Sequence, residues 1–249
     1  MYSNFTYQEY KQILNRLKKN NKNLTFSDFK IKNHDKKKFF ILRHDIDYSL
    51  ENALSIAKIE NKLLIRSTFF FLLTSPFYNL FSKRGSQILR TIKNLNHEIG
   101  LHYDVSVMEK SKNYNIKDEA DILSNLASKK VVSIAMHNPS IYGKDPFSND
   151  KNFINAYDKK FTKNINYYSD SCGAWRDKTY NFLNSKSMPA KIQFLIHPIF
   201  WSPLKGDRVS RFNKFLNEKT NELNLEKKYI SKIWDKHSGV KEHIMRNKK

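Results

Sequence analysis

Hydrophobic positions recur along this chain in two alternating rhythms, and the alternation predicts its elements. Residues 6–20 set Tyr10, Ile13, Leu14 and Leu17 at helical spacing among Lys and Asn, the pattern of an amphipathic helix packed on a larger body. The polar stretch Lys30–Lys38 reads as a linker. Phe39–Leu42 is then a short buried-strand pattern, Ser49 can cap a helix through Leu54, Ile56, Ala57 and Ile59, and Ser67–Leu73 is a second strand. The alternation continues. Ile88, Leu89, Ile92 and Leu95 mark a helix, His97–His102 a strand, Ile116–Leu126 a helix and Val131–Met136 a strand. After an irregular segment with Pro139, Gly143 and Pro146 come a strand near Tyr167 and Tyr168, a helix over Thr179–Leu183 and a strand over Ile192–Ile196. Residues 208–233 are helical through Phe212, Phe215, Leu216, Leu223 and Ile230, and the last dozen residues are expected to fray. Six strands separated by helices or loops predict an α/β protein with a mainly parallel sheet.

The pattern divides the chain into a helical N-terminal extension, 1–38, a central domain, 39–204, and a basic helical C-terminal extension, 205–249. Periodicity fits both an open sheet and a closed one. The 166 central residues are few beside the roughly 250 of a full eight-unit barrel, so a closed form would be reduced or irregular.

Composition adds a conspicuous charge. The 249 residues carry 45 Lys and Arg against 24 Asp and Glu, a net +21, which invites a nucleic-acid partner. Each of the three segments contributes a net +7, although the middle is about four times longer than either end. The excess is therefore densest on the flanks. With no nucleic-acid motif in the chain, a specific nucleic-acid partner is not expected, and the flanks suit a solvated surface or peripheral contact with a membrane surface. The longest purely apolar run, Phe69–Leu73, is far short of the roughly 18 residues that cross a bilayer, and the N-terminus has no charged-then-apolar segment, so a cytoplasmic location is expected. A single cysteine, Cys172, excludes an internal disulfide and a multi-cysteine zinc site.

In either sheet architecture ligands collect at the carboxyl ends of the strands. His44, His102, His137 and His197 each fall at or just beyond such an end, joined by Asp45, Asp47 and Asp170. His34, His237 and His243 lie in polar flanks, and His97 opens the strand that His102 closes, about 16 Å away at roughly 3.3 Å per residue, so His97 is expected to be structural. Asp45 and Asp47, two apart in an extended segment, point to one side. Two such carboxylates stay charged together only if a cation lies between them or one takes a proton. A cation held by Asp and His with open positions for water is the arrangement of a metal hydrolase.

The ordered series Arg43-His44-Asp45-Ile46-Asp47, Ser67-Thr68-Phe69-Phe70, His97 through Tyr103, Asp170 through Trp175 and Leu195-Ile196-His197-Pro198 resembles the polysaccharide deacetylase family, the NodB-homology or carbohydrate esterase 4 group, over about residues 39–200. The resemblance is nearest to a divergent branch associated with surface-polysaccharide biosynthesis. It implies an irregular, reduced (β/α) barrel and a metal-dependent hydrolase that removes an N-acetyl group from a sugar or polysaccharide precursor. By position, Asp45 matches the catalytic base, Asp47 the metal carboxylate, His102 the first metal histidine and His197 the general acid. Asp170 and Trp175 resemble the motif in which an aspartate orients a catalytic group and a tryptophan packs the site. Ser106 stands where the family usually has a second metal histidine, and His137, beside the family's Arg-x-Pro position, is expected to replace it. Tyr103, Asn138 and Trp175 are expected to bind substrate, with Tyr142 and Trp201 as further flat faces for a sugar. Zinc is the expected metal, with iron, cobalt or nickel also suited to carboxylate and imidazole. The competing expectations are a barrel that has lost catalysis and binds glycan or a partner protein, a different metal-dependent hydrolase on the same rim, and a thiol nucleophile at Cys172.

Overall fold

The computed structural model describes residues 4–31, 38–108 and 114–236. Most of the expected linker, the closing dozen residues, and His34, His237 and His243 lie outside the described residues. Helix α1 (Tyr7–Asn20) begins at a capping box, where the Thr6 hydroxyl accepts from Glu9 N and the Glu9 carboxylate accepts from Thr6 N. It presents Tyr10, Ile13, Leu14 and Leu17 to the core. There follow β1 (Lys22–Leu24), α2 (Phe26–Ile31), β2 (Phe39–Ile46), α3 (Leu50–Lys62), β3 (Thr68–Leu72), α4 (Lys83–Asn94), β4 (Glu98–Tyr103), α5 (Val105–Met108), α6 (Ile116–Ala127), β5 (Ser133–Met136), α7 (Pro139–Tyr142), β6 (Ile154–Asn155), α8 (Lys159–Thr162), β7 (Asn166–Ser169), α9 (Asp177–Asn184) and β8 (Lys191–Ile196). These elements belong to one compact unit, residues 1–208. A second unit, residues 209–249, contains most of the long helix α10 (Arg208–Lys236).

All strand pairs are parallel, in the order β6-β5-β4-β3-β2-β8-β7, with β1 also paired to β2. The end strands β6 and β7 are not paired to each other among the described residues, so the sheet is a curved, reduced (β/α) barrel left open on one side. Two short strands escape the hydrophobic pattern: β1 holds three residues in a polar run and β6 two in the irregular segment. Residues 1–38, expected as an extension, place a strand in the sheet and a helix on its core. Lys30 and Ile31, expected in the linker, end α2.

Side chains of a strand alternate between the faces of its sheet, and the core divides accordingly. On β2, Phe40, Leu42 and Ile46 join the cluster under the helices, whereas Phe39 and Ile41 join a separate cluster with Leu24, Phe26, Phe70, Ala135 and Phe161 inside the curve. The first strand reaches Ile46 rather than ending at Leu42, and all eight of its residues are buried. Arg43 and Asp45 share the inner face of Phe39 and Ile41. His44 therefore points the other way, toward α3, and is not part of the rim as expected. Its Nε2 lies 2.6 Å from Glu60 Oε1.

Glu60, fully buried, also accepts from the Tyr10 and Ser67 hydroxyls, and His97 Nδ1 is 3.6 Å from it. His97 is structural, its Nε2 lying 3.1 Å from Ala57 O. Burial opposes ionisation of Glu60, but the neighbouring His44, and after it His97 and Ser67, outweigh that and hold its pKa below the ordinary value. Burial lowers the pKa of His97, against a smaller opposing pull from Glu60. Both groups thus bind protons more weakly in the folded state than in the unfolded one. Their contribution to stability is complete above about pH 6.5 and declines as pH falls, first through His97 and below about pH 4.3 through Glu60 as well. Acid titration followed by circular dichroism should show that decline. Glu60→Ala, which strands the partners of a buried charge, should cost about 3–5 kcal/mol in denaturant unfolding at neutral pH.

Candidate metal and catalytic site

The carboxyl ends of β2, β4, β5, β7 and β8 deliver Asp45 and Asp47, His102, His137, Asp170 and His197 to the same end of the sheet. A cleft of about 490 Å³ opens there. Ser49, not either aspartate, caps α3, accepting from Asn52 N at 3.2 Å, so both carboxylates are free for other work.

Three donor atoms converge. Asp47 Oδ1 lies 3.2 Å from His102 Nε2 and 3.1 Å from His137 Nδ1, and the two ring nitrogens are 3.2 Å apart. Ligands held about 2.0–2.1 Å from a tetrahedral cation are roughly 3.3 Å apart, so this triangle fits one with little adjustment. The hydrogen-bonding pattern agrees. His102 Nδ1 is 2.9 Å from the carbonyl of Ala135, which can only accept, so in the neutral ring Nε2 holds a lone pair aimed at Asp47. Asp47 Oδ1, although buried between the rings, receives no hydrogen bond of acceptable angle from either. With both rings neutral and protonated on their outer nitrogens, three lone pairs would face a common centre. His137 Nε2 lies 2.8 Å from Asn138 Nδ2; turning the amide over would present its oxygen to an Nε2 proton and leave Nδ1 to serve a cation. Burial opposes ionisation of Asp47, but the two rings hold its carboxyl well below the carboxylate range. Among the described residues this is the set of Asp, Glu, His and Cys donors that could hold a metal ion. Ser106 sits on α5, its amide bonded to Asp104.

Asp45 is clamped from its own strand. Arg43, on the same inner face, donates from Nε to Oδ1 at 3.1 Å and from Nη2 to Oδ2 at 2.6 Å. The guanidinium is fully buried, with the Tyr157 ring 4.4 Å from its carbon and the Phe70 ring 5.4 Å away. Burial opposes the charge on each partner, yet each overrides that for the other: Asp45 is held below its ordinary pKa and Arg43 above its own. Each Asp45 oxygen keeps a second lone pair, and Oδ2 is 4.0 Å from His102 Nε2.

His197 is oriented by Asp170. Its Nδ1 is 2.7 Å from Asp170 Oδ1, its amide donates to both carboxylate oxygens, and Trp201 Nε1 donates to Oδ2 at 2.8 Å. Burial lowers the His197 pKa, but the Asp170 carboxylate more than compensates, raising it to about 9. The ring is therefore protonated at neutral pH.

Alternation also decides which expected substrate contacts reach the cleft. Tyr103 follows His102 and so faces the helices: it is fully buried, and its hydroxyl bonds Asp145. Trp175 stacks on Phe5 at 4.7 Å, and Trp201 is buried on Asp170. None of these, nor Tyr142, lines the cleft, whereas Asn138 does. The aromatic lining is Tyr48, Tyr157, Tyr167 and Phe200 instead. Tyr48 and Phe200 are legible as neighbours of Asp47 and His197; Tyr157, in an irregular segment, carries no signal. Cys172 lines the cleft, exposed, with no described histidine bonded to its thiol.

No protein-family model and no curated protein matches the chain. Several solved structures are similar to it in part. A CE4 family pseudoenzyme from Bacillus anthracis is 14% identical over 76% of this chain, with a TM-score of 0.41. This chain spans 63% of the length of that one, less than two thirds. The Xyl-CE4 domain of a multidomain xylanase from the hindgut metagenome of Trinervitermes trinervoides is 15% identical over 76% of this chain and 84% of its own, with a TM-score of 0.43. The peptidoglycan deacetylase PdaC from Bacillus subtilis is 12% identical over 77% and 98%, with a TM-score of 0.42.

The Asp170 contact is testable without any substrate. Asp170→Asn should bring the His197 pKa from about 9 to its ordinary value near 6.5 or below, read by NMR titration of the ring.

Proposed function

We propose that this protein is a metal-dependent hydrolase that removes the acetyl group from an N-acetylated sugar or sugar-polymer precursor. The observation that carries the reading is the meeting of Asp47 Oδ1, His102 Nε2 and His137 Nδ1 within 3.2 Å of one another, at the edge of a cleft that Asp47 lines together with Asp45 and His197. A divalent cation bound to these three would lower the pKa of a coordinated water and polarise the amide carbonyl. Zinc, iron, cobalt and nickel all suit one carboxylate and two imidazoles.

The chain's own groups then divide the proton work. Asp45, ionised and fixed by Arg43, accepts a proton from the attacking water through a lone pair that Arg43 leaves open. His197, charged at neutral pH, gives a proton to the nitrogen as the carbon–nitrogen bond breaks. An amine is a poor leaving group unless protonated, so the raised pKa of His197 serves this step. Asp170 keeps the donating Nε2 free by occupying Nδ1. One water is consumed, and acetate and a sugar amine leave. Tyr48, Tyr157, Tyr167 and Phe200 offer the cleft's flat surfaces to a sugar ring.

Purified protein should carry one divalent cation per chain, lost in Asp47→Ala and in His137→Ala, as measured by elemental analysis. Acetate release from an N-acetylated oligosaccharide should vanish on chelation and return with added metal. Metal loading without acetate release from any N-acetylated sugar would turn the reading to a glycan-binding barrel.

The pH dependence has a definite sign. A donor that must be protonated is lost as pH rises, so kcat should fall through about pH 9 in the wild type.

A further inference from the structure

The cleft carries positive charge that the proposed reaction does not use. Of the carboxylates in its lining, Asp45 is paired with Arg43, and Asp47 Oδ1 lies 3.2 and 3.1 Å from ring nitrogens of His102 and His137. Arg176 and Lys178 also line it, both exposed, and neither forms an ion pair with any described residue. The Lys178 ammonium lies 5.5 Å from the centroid of the Tyr168 ring. Asp177, between them in sequence, is exposed and makes no ion pair with either. Ser169, Ser171 and Thr179 add hydroxyls to the same wall. His197, protonated, faces the same space. A concave site with two unneutralised cations and several hydroxyls concentrates anions, and a guanidinium fork matches the oxygens of a phosphate.

From this we infer that the cleft takes an anionic sugar, a phosphorylated N-acetyl sugar, with Arg176 and Lys178 holding its charged group while the acetamide reaches Asp45 and His197. The inference rests on the proposed deacetylation and names the substrate class for it. A neutral glycan would leave both cations without a partner. The two residues are specificity-determining and take no part in the proton transfers.

The probes are N-acetylglucosamine, N-acetylglucosamine 1-phosphate and an N-acetylated uronic acid, titrated calorimetrically into the full chain at low ionic strength, with metal present and after chelation. In the wild type the phosphorylated sugar should bind about tenfold or more tightly than the neutral one in both states, because hydrogen bonds to charged groups are individually strong. Arg176→Gln with Lys178→Gln, both exposed, should abolish that preference and leave the neutral sugar's affinity and the metal content unchanged. A uronic acid that binds as tightly as the phosphate keeps the anion site and widens its ligand to carboxylates.

Equal affinity for neutral and phosphorylated sugars, a preference that survives the double substitution, a preference that disappears on chelation, or no binding of either sugar would each overturn the inference. The two readings fail separately. Phosphate-selective binding lost in the double variant, without acetate release, removes the deacetylase reading and keeps the subsite. Acetate release at equal rates from neutral and phosphorylated sugars, untouched by the double substitution, does the reverse.

Discussion

The site depends on a constraint as elementary as any in protein structure: consecutive side chains of a strand point to opposite faces of the sheet. Strand β2 runs through the middle of the sheet, between β3 and β8, and all eight of its residues are buried. Its inner face reads Phe39, Ile41, Arg43, Asp45 and its outer face Phe40, Leu42, His44, Ile46. A shift of one position would send Asp45 to the helices and His44 to the cleft. The parallel register with β8 and β3, continuous over Phe39↔Lys191 to His44↔Ile196 and Arg43↔Thr68 to Ile46↔Phe71, prevents it.

That arrangement places an ionisable cluster on each side of one strand. Outside, Glu60 collects Tyr10, His44 and Ser67, tying α1, α3 and the sheet together. Inside, Arg43 holds Asp45. Buried charges are expensive unless paired and hydrogen-bonded, so neither cluster tolerates the loss of a member well. Their functions differ all the same. The outer cluster is sealed under helices, whereas the inner one opens on a cleft and leaves Asp45 lone pairs to use. Electrostatics alone does not distinguish them; access does.

Much of this is legible in the sequence because it depends on short spacings. Helical periodicity finds α1, α3, α4, α6 and α10, and the placement of Asp45, Asp47, His102, His137, Asp170 and His197 after hydrophobic runs brings them to one end of the sheet. The errors also have physical causes. His44 and Tyr103 sit at strand ends but on the wrong side of them, a distinction that alternation makes and proximity in sequence does not. Arg43 was within reach of the same argument, two residues before Asp45. Strands β1 and β6 are set by pairing to a neighbour rather than by their own residues; Tyr157 enters the cleft from a segment with no periodicity, and Arg176 and Lys178 from the start of α9, just before the expected helix.

The third of the proposed donors, His137, is placed by register. A histidine at position 106 would lie on α5, beyond the end of β4, where Ser106 now bonds Asp104. His102 pairs across the ladder with Ala135, and His137, two residues further and just past the end of β5, lies diagonal to it, its amide bonded to Tyr103 O. Diagonal neighbours on one face of a sheet are within reach for side chains as long as imidazole. On the other side, continuing the β2–β3 register places Asp47 opposite Leu72, which is itself opposite His102. Asp47 and His102 are therefore in one row, two strands apart, and the curvature of the sheet brings their tips together over Leu72. One of the proposed donors sits in a strand and the other two are the first residues beyond strand ends, so little loop is needed to order them. His102 Nδ1 is even held by the backbone of the strand that supplies His137. The three-atom geometry of the proposed donors thus follows from the pairing of adjacent strands, with His102 buried in the ladder and Asp47 and His137 just past the ends of theirs.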